Sequence, residues 1–284
     1  MKARVRLEEI ITLTGDIKAF VGVNRQPFIV ADIGCDHGWV ASEVLRRNIA
    51  QEVICSDISK KSLEKAEILL SKSGKKNNAK FIVSDGLTNF DFEKRIDVAI
   101  IAGMGAYEII HILSGKKNVD KVKCFIFQVS TDEYLLRQFL LKNGFLIIYD
   151  KMIYDHGHIY HTIAVKNEFN CTLQSATACG KLCMLADENR KLFAICNNNK
   201  FASENDFGVN FLWYGADNLF DVSLYHKKAL NFVKTRLNDE ILKTNIKIEE
   251  IGLKKAAEGS ILERLEELKA RLSSINAIIH RLGD

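Results

Sequence analysis

No stretch of this 284-residue chain is apolar for long enough to cross a bilayer, and Lys2, Arg4 and Arg6 occupy the place where a secretory leader would carry its apolar core. A cytoplasmic protein with no membrane association is the expectation. The seven cysteines include no C-x-x-C pair, which argues against a structural zinc site. Their odd number, without an export signal, points to reduced thiols rather than a disulfide framework. No metal is expected. Charge of one sign is not in excess either: 40 Lys and Arg against 36 Asp and Glu leave a net +4, which neither demands nor excludes a nucleic-acid partner. There is one proline, and the loops are rich in lysine and asparagine, a composition that reflects an AT-rich genome before it reflects function. With 47% hydrophobic residues, the chain is long enough to bury one large core and carry an appendage.

The absence that says most is local. After the hydrophobic run from Phe28 to Ala31 the chain enters Asp32-Ile33-Gly34-Cys35-Asp36-His37-Gly38, a strand-to-helix turn without the G-x-G-x-x-G spacing that wraps a pyrophosphate. Asp32 and Asp36 would repel a diphosphate. They suit a cation, and S-adenosylmethionine carries two, its amino group and its sulfonium. Glycine lets backbone approach a ligand closely and a helix start offers unpaired N–H groups, so the turn reads as a cofactor cradle. A plain strand exit is the alternative.

Acids also end the next two strands. The run from Glu52 to Ser56 closes on Asp57, about 25 residues after Asp32, where a carboxylate commonly accepts from both ribose hydroxyls. An amphipathic helix with Leu63, Ala66, Leu69 and Leu70 on one face follows, and then Lys80-Phe81-Ile82-Val83-Ser84 closes on Asp85-Gly86, placed to accept from the adenine exocyclic amine. A single acid at a strand end is more often a helix cap than a ligand; three in succession are harder to dismiss. The fourth strand, Ile96 to Ala102, empties into Gly103-Met104-Gly105-Ala106, where glycines let the chain pass beside a cofactor and an acceptor base, with Met104 as a flexible apolar wall. An ordinary strand-to-helix turn would look similar. A buried strand from Val122 to Ser130 and a helix with Leu135, Leu136, Phe139 and Leu140 come next. The strands from Gly144 to Tyr149 and His158 to Val165, joined through Asp155-His156-Gly157, close the series. Five alternating βα units and a terminal hairpin predict an α/β fold of class I S-adenosylmethionine-dependent methyltransferase type, a Rossmann-like parallel sheet ending in an antiparallel hairpin. His156, His158 and His161 fit a turn and a strand exit rather than a ligand trio.

Several of these pieces together resemble the bacterial TrmK family, which methylates N1 of adenine 22 in tRNA. They are Arg6-Leu7, the run from Ala31 to Gly38, Ser84-Asp85-Gly86-Leu87, Ile101-Ala102-Gly103-Met104-Gly105, Leu136-Arg137-Gln138-Phe139-Leu140 and Asn143-Gly144-Phe145. The resemblance spans roughly residues 4 to 166 and resumes faintly at Trp213-Tyr214-Gly215 and the last helices. It implies S-adenosylmethionine as cofactor and tRNA as partner. It also implies cofactor contacts at Asp32, Gly34, Asp36, His37, Asp57, Ile58, Asp85, Gly86, Gly103, Met104 and Gly105, and catalytic roles for Asp36, His37, Gln128 and Ser130. Two departures stand out. Where the family reads Gln-Pro-Asn this chain has Gln128-Val129-Ser130, exchanging an amide for a hydroxyl that still donates a hydrogen bond, and Ala106 replaces a glycine.

Three regions are expected: a Rossmann-like domain over 1–166, an insert or connector over 167–222, and a helical domain over 223–284. The insert carries Cys171, Cys179, Cys183 and Cys196. In the last region Ile261, Leu265, Leu268, Leu272, Ile275, Ile279 and Leu282 alternate steps of four and three, a heptad seam. Leu230, Val233, Leu237, Ile241, Ile248 and Ile251 form a looser stripe before the turn Glu258-Gly259-Ser260, so an antiparallel coiled-coil hairpin is the economical solution. The resemblance implies that it helps grip tRNA. A parallel zipper between two chains competes, which leaves monomer or weak dimer as the expectation.

Adenine N1 carries an in-plane lone pair, so methyl transfer to it needs alignment and exclusion of water rather than a strong base. Asp36 and His37 are expected to position donor or base, with any proton loss left to solvent. The base would be drawn from its stack against Trp39 or Tyr107, although Trp39 reads equally well as a core residue. Lys2, Arg4 and Arg6, and Lys72, Lys75 and Lys76, are placed to meet phosphates; solvated surface lysine also explains the second group. Two rival functions remain open here, a methyltransferase of the same fold acting on a small molecule or protein, and a non-catalytic RNA-binding scaffold.

Overall fold

Successive residues of a strand face opposite layers, and that alternation sorts the core of this protein into two. The computed structural model describes residues 5–20, 27–90, 95–115, 118–156 and 158–167, and beyond them helical residues at 238, 241–249, 251, 265–266, 268–269, 272–273 and 276. Its elements are α1 (Val5–Phe20), β1 (Ile29–Ile33), α2 (Trp39–Arg46), β2 (Glu52–Asp57), α3 (Lys60–Lys72), β3 (Ala79–Val83), β4 (Ile96–Met104), α4 (Ala106–Ser114), β5 (Val122–Val129), α5 (Glu133–Lys142), β6 (Leu146–Asp155) and β7 (His158–Lys166). Ile29, Ala31 and Ile33 of β1, Ala99 and Ile101 of β4, and Phe125 and Phe127 of β5 pack on one side, under Ile109 and Leu113 of α4 and Leu136 and Leu140 of α5. The intervening Val30, Val98, Ile100, Cys124 and Ile126 pack on the other, under Ile10 and Ile17 of α1, Val44 and Leu45 of α2, and Leu63 and Leu70 of α3. A parallel sheet needs both faces covered, which is why its strands here are continuous apolar runs rather than half-polar ones.

The sheet has seven strands in the order β3-β2-β1-β4-β5-β7-β6. β7 runs antiparallel to both β5 and β6, and the other pairings are parallel. The Rossmann-like methyltransferase sheet with its terminal hairpin is thus the observed fold. Because β1 leads outward through β2 and its neighbour β4 leads the opposite way through β5, a crevice opens at their carboxyl ends, the place where open α/β sheets bind ligands.

Three details differ from the sequence reading. β4 continues past Ala102 to Met104, its ladder with β5 interrupted between Ala102 and Met104 at a bulge where Gly103 takes φ +77°. β6 extends to Asp155, also with a bulge, between Ile147 and Tyr149. No helix joins β3 to β4 among the described residues; a turn at 86–89 tucks Leu87 and Phe90 into the core in place of a helix face. The connector expected over 167–222 lies outside the described residues apart from Asn167, as does most of the coiled-coil hairpin; Leu268 there is buried. Among the described residues no helix is long and apolar enough to cross a membrane.

Candidate active site

The crevice at the ends of β1 and β4 is a cleft of about 1380 Å³, above the ~300–1,000 Å³ of a typical small-molecule pocket. It can therefore take more than one reactant. Asp32, Gly34, Asp36, His37, Asp57, Ile58, Asp85, Gly86, Gly103 and Met104 all line it, so the acids that end β1, β2 and β3 share one cavity. Gly105, Gln128 and Ser130 do not.

The local chemistry explains why the turn after β1 holds its shape. Gly34 takes φ +69°, a backbone conformation that favours glycine, and a Cβ there would displace the flexible Met104 methyl, 2.3 Å away. Its N–H and that of Cys35 donate to the Ser56 carbonyl at 2.8 and 3.0 Å, tying the turn to β2. Asp36 is itself left-handed at φ 46°, a conformation aspartate tolerates better than most residues, and its N–H donates to Oδ2 of Asp57 at 3.0 Å. Oδ1 of Asp57 accepts from the Ser59 N–H at 2.8 Å, just ahead of α3. One carboxylate thus secures two loops and still has lone pairs for a ligand. Gly38 (φ +70°) opens α2 beside Ala66 of α3, where a Cβ would lie 2.7 Å from the Ala66 methyl.

Asp32 is the electrostatic centre of this arrangement. It is buried, accepts the Ala41 N–H on Oδ2 at 3.2 Å, and titrates near 7 instead of 3.8. Burial is the main cause; the Ala41 hydrogen bond opposes it and the neighbouring Asp57 charge adds to it. An acid with a raised folded pKa contributes stability that is full below the unfolded pKa and falls as pH rises toward the folded value. Asp32→Asn, which keeps an oxygen for the Ala41 N–H, should therefore make the ligand-free protein more stable at pH 8 than wild type. It should also flatten the decline in melting temperature between pH 4 and 7, a decline worth up to about 1.4 kcal/mol per pH unit for one group. Equal pH slopes in the two proteins would count against this.

Asp36 and His37 are exposed at the mouth, with His37 Nε2 3.5 Å from Asp36 Oδ2. Ile58, 75% exposed, and Tyr107, 65% exposed, present apolar and aromatic surface to the cleft. Trp39 lies on the same lining and is 43% exposed, so it is no core residue. Gln128 is fully buried; its Oε1 accepts from Arg6 Nη1 at 3.2 Å and its Nε2 donates to the Arg6 carbonyl at 3.1 Å. Ser130 Oγ donates to the Met104 carbonyl at 3.2 Å. Cys35, Cys55 and Cys124 are buried, and a hydrogen bond with Cys35, with burial, pushes the Cys55 thiol up. Among the described residues no three His, Cys, Asp or Glu side chains group as a metal site.

Arg6 and His156 are among the lining residues that escaped the sequence reading as cleft components. Arg6 stood in a basic cluster and in the motif Arg6-Leu7, and His156 in a turn, neither assigned to the cleft, because nothing local says that α1 and the β6–β7 hairpin tip reach the end of the sheet.

This donor set fits S-adenosylmethionine: acids for a cationic ligand, a carboxylate at the end of β2, glycine turns and apolar surface at Ile58 and Ile112. Comparison with known proteins agrees. Residues 15–163 match the family described as a methyltransferase domain. Over 186 residues, 64% of this chain and 81% of the relative, the chain is 30% identical to a Mycoplasma genitalium protein named "Putative tRNA methyltransferase MG248". Over 139 residues, 49% of this chain and 58% of the relative, it is 26% identical to the Bacillus subtilis tRNA (adenine(22)-N(1))-methyltransferase. Among solved structures, M. capricolum TrmK in complex with S-adenosyl-homocysteine shares the fold, with a TM-score of 0.63 at 20% identity over 97% of each chain.

Proposed function

Since this chain belongs to the methyltransferase-domain family, we propose that it is an S-adenosylmethionine-dependent tRNA methyltransferase acting on N1 of adenine 22. The observation that carries this reading is the convergence of Asp32, Asp57 and Asp85, from three successive strand ends, on one cleft. The relatives named as tRNA methyltransferases support the substrate.

When bound, the donor supplies an electrophilic methyl group on a sulfonium. The chain's own residues do the rest by placement. Asp57 would accept from the ribose hydroxyls and Asp85 from the adenine amine beside Ile58, and the Asp32 and Asp36 carboxylates would face the cationic portion. Donor affinity should be higher at pH 8 than at pH 6, since Asp32 attracts a cation only when ionised. Asp36 and His37 orient donor or base at the mouth. Trp39 and Tyr107 offer faces for a base drawn from its stack. Gln128 acts only through Arg6, which it holds by two hydrogen bonds, and Ser130 through the Met104 carbonyl. The domain plan of 1–166, 167–222 and 223–284, with the last gripping tRNA, belongs to this proposal.

The test is incubation with labelled methyl donor and bulk tRNA, followed by nucleoside analysis. Label in 1-methyladenosine is the expected result; label elsewhere, or none from a protein that binds the donor, sinks the substrate assignment. In the same assay Asp36→Ala and His37→Ala should lose turnover, and undiminished rates would remove them from the site.

A further inference from the structure

The cleft has room for a second reactant beside a methyl donor, and the acids of its lining divide accordingly. Asp32, Asp36, Asp57 and Asp85 belong to the ends of β1, β2 and β3 or to the turns that follow them, the side given to the donor. Glu8 and Glu43 are paired with Arg47 and Arg46, each at 2.7 Å. Glu108 is left. It stands on the β4 side of the crevice, in the first turn of α4 next to Tyr107, and both residues are exposed on the cleft lining. Among the described residues it makes no hydrogen bond and no ion pair. A glutamate at this place in a helix can serve simply as a cap, bending back to the N-cap N–H. Glu108 makes no such bond. Its Oε2 lies 2.7 Å, and Thr131 Oγ1 2.8 Å, from where a Cβ on Gly105 would stand, so a missing side chain is what gives the carboxylate its space beside the ends of β4 and β5.

Its place along α4 selects the reactant. Ile112, one turn further on, packs over Gly86, where a Cβ would come within 2.8 Å of its Cγ2, at the end of the cleft proposed for the donor's adenine. With that adenine at β3 and the ribose at β2, the sulfonium falls at β1 and β4, the side on which Glu108 and Tyr107 stand. Methyl transfer there moves a positive charge. The sulfur keeps the electron pair of the breaking S–C bond, adenine N1 supplies the pair for the new one, and the cation passes to the base, shared between its ring and its exocyclic amine. Resting on the methyltransferase reading above, we infer that Glu108 accepts a hydrogen bond from the exocyclic amine of the acceptor adenine, aligning N1 on the methyl group and opposing the charge that arrives on the base. Such a bond strengthens as the amine becomes part of a cation, so it favours the transition state over bound substrate. It also selects adenine, because guanine presents a carbonyl oxygen at the same edge, which a carboxylate repels.

The test uses the full chain and tRNA transcripts carrying at position 22 either adenosine or purine riboside, which lacks the exocyclic amine but keeps N1. Glu108→Gln holds the shape and loses the charge. On the adenosine transcript it should lower kcat about ten- to a hundredfold, the scale of a charged hydrogen bond, with KM for tRNA and calorimetric affinity for S-adenosylmethionine unchanged. On the purine transcript the two proteins should react at nearly the same rate, because the partner of the carboxylate is gone. An equal loss on both transcripts, or a loss that appears in donor affinity, would mean that Glu108 only supports the fold of the cleft and overturns the inference. So does an undiminished kcat on adenosine. If wild type leaves the purine transcript unmethylated, the split between kcat and the two affinities on adenosine decides alone. Failure of wild type to methylate the adenosine transcript would instead reject the methyltransferase reading itself.

Discussion

Asp57→Ala should lower the affinity for S-adenosylmethionine by about a hundredfold or more, the loss of two hydrogen bonds to a charged acceptor. The effect exceeds that of an ordinary ligand contact because this carboxylate also accepts the Asp36 and Ser59 N–H groups. Removing it releases the left-handed Asp36 turn as well as the proposed ribose contact. Asp57→Asn keeps one oxygen and should recover part of the turn but little of the affinity, since an amide accepts at one atom only. Titration calorimetry on both variants, with a thermal melt to show that the sheet is intact, checks this. An Asp57→Ala protein that binds the donor within threefold of wild type would remove Asp57 from the site.

The second large effect is on stability. Arg137 on α5 is fully buried, donating from Nε to Asp150 Oδ2 at 2.8 Å, from Nη2 to Asp150 Oδ1 at 3.1 Å, and from Nη2 to His161 Nδ1 at 2.9 Å. A guanidinium has no acceptor, so Nδ1 of His161 must accept and its proton sits on Nε2, 3.4 Å from Glu133. Burial lowers the His161 pKa, which keeps that ring neutral. The cluster pins α5 to β6 and β7 through groups that cannot be left alone in the interior. Arg137→Ala strands the Asp150 charge and should cost about 3–5 kcal/mol in urea unfolding. Arg137→Met combined with Asp150→Leu removes both charges together and should cost much less. A loss below about 1 kcal/mol for Arg137→Ala would show that the interior is wetter than the fold suggests.

Arg137 also illustrates how far reading the chain alone could go. It stood out within the motif Leu136-Arg137-Gln138-Phe139-Leu140, yet its partners lie 13 and 24 positions away, on strands that meet only after the hairpin forms. Gln128 is similar. Its place at the end of a buried strand was legible, and its direction was not, because the residue it holds is 122 positions earlier. The acids at positions 32, 57 and 85 were readable for the opposite reason. Each ends its own strand, and parallel strands joined by right-handed crossovers bring their carboxyl ends to the same edge without further information.

What the amino-acid order determined by itself was therefore periodic and local: apolar runs that must be covered on both faces, glycines where the backbone turns left-handed, and acids at strand ends. What only the tertiary structure decided was which distant cations and aromatics complete the cleft. Arg6 and His156 arrive there because α1 and the β6–β7 tip pack against the end of the sheet, and contacts between elements so far apart in the chain depend on packing, which leaves no periodic trace in sequence.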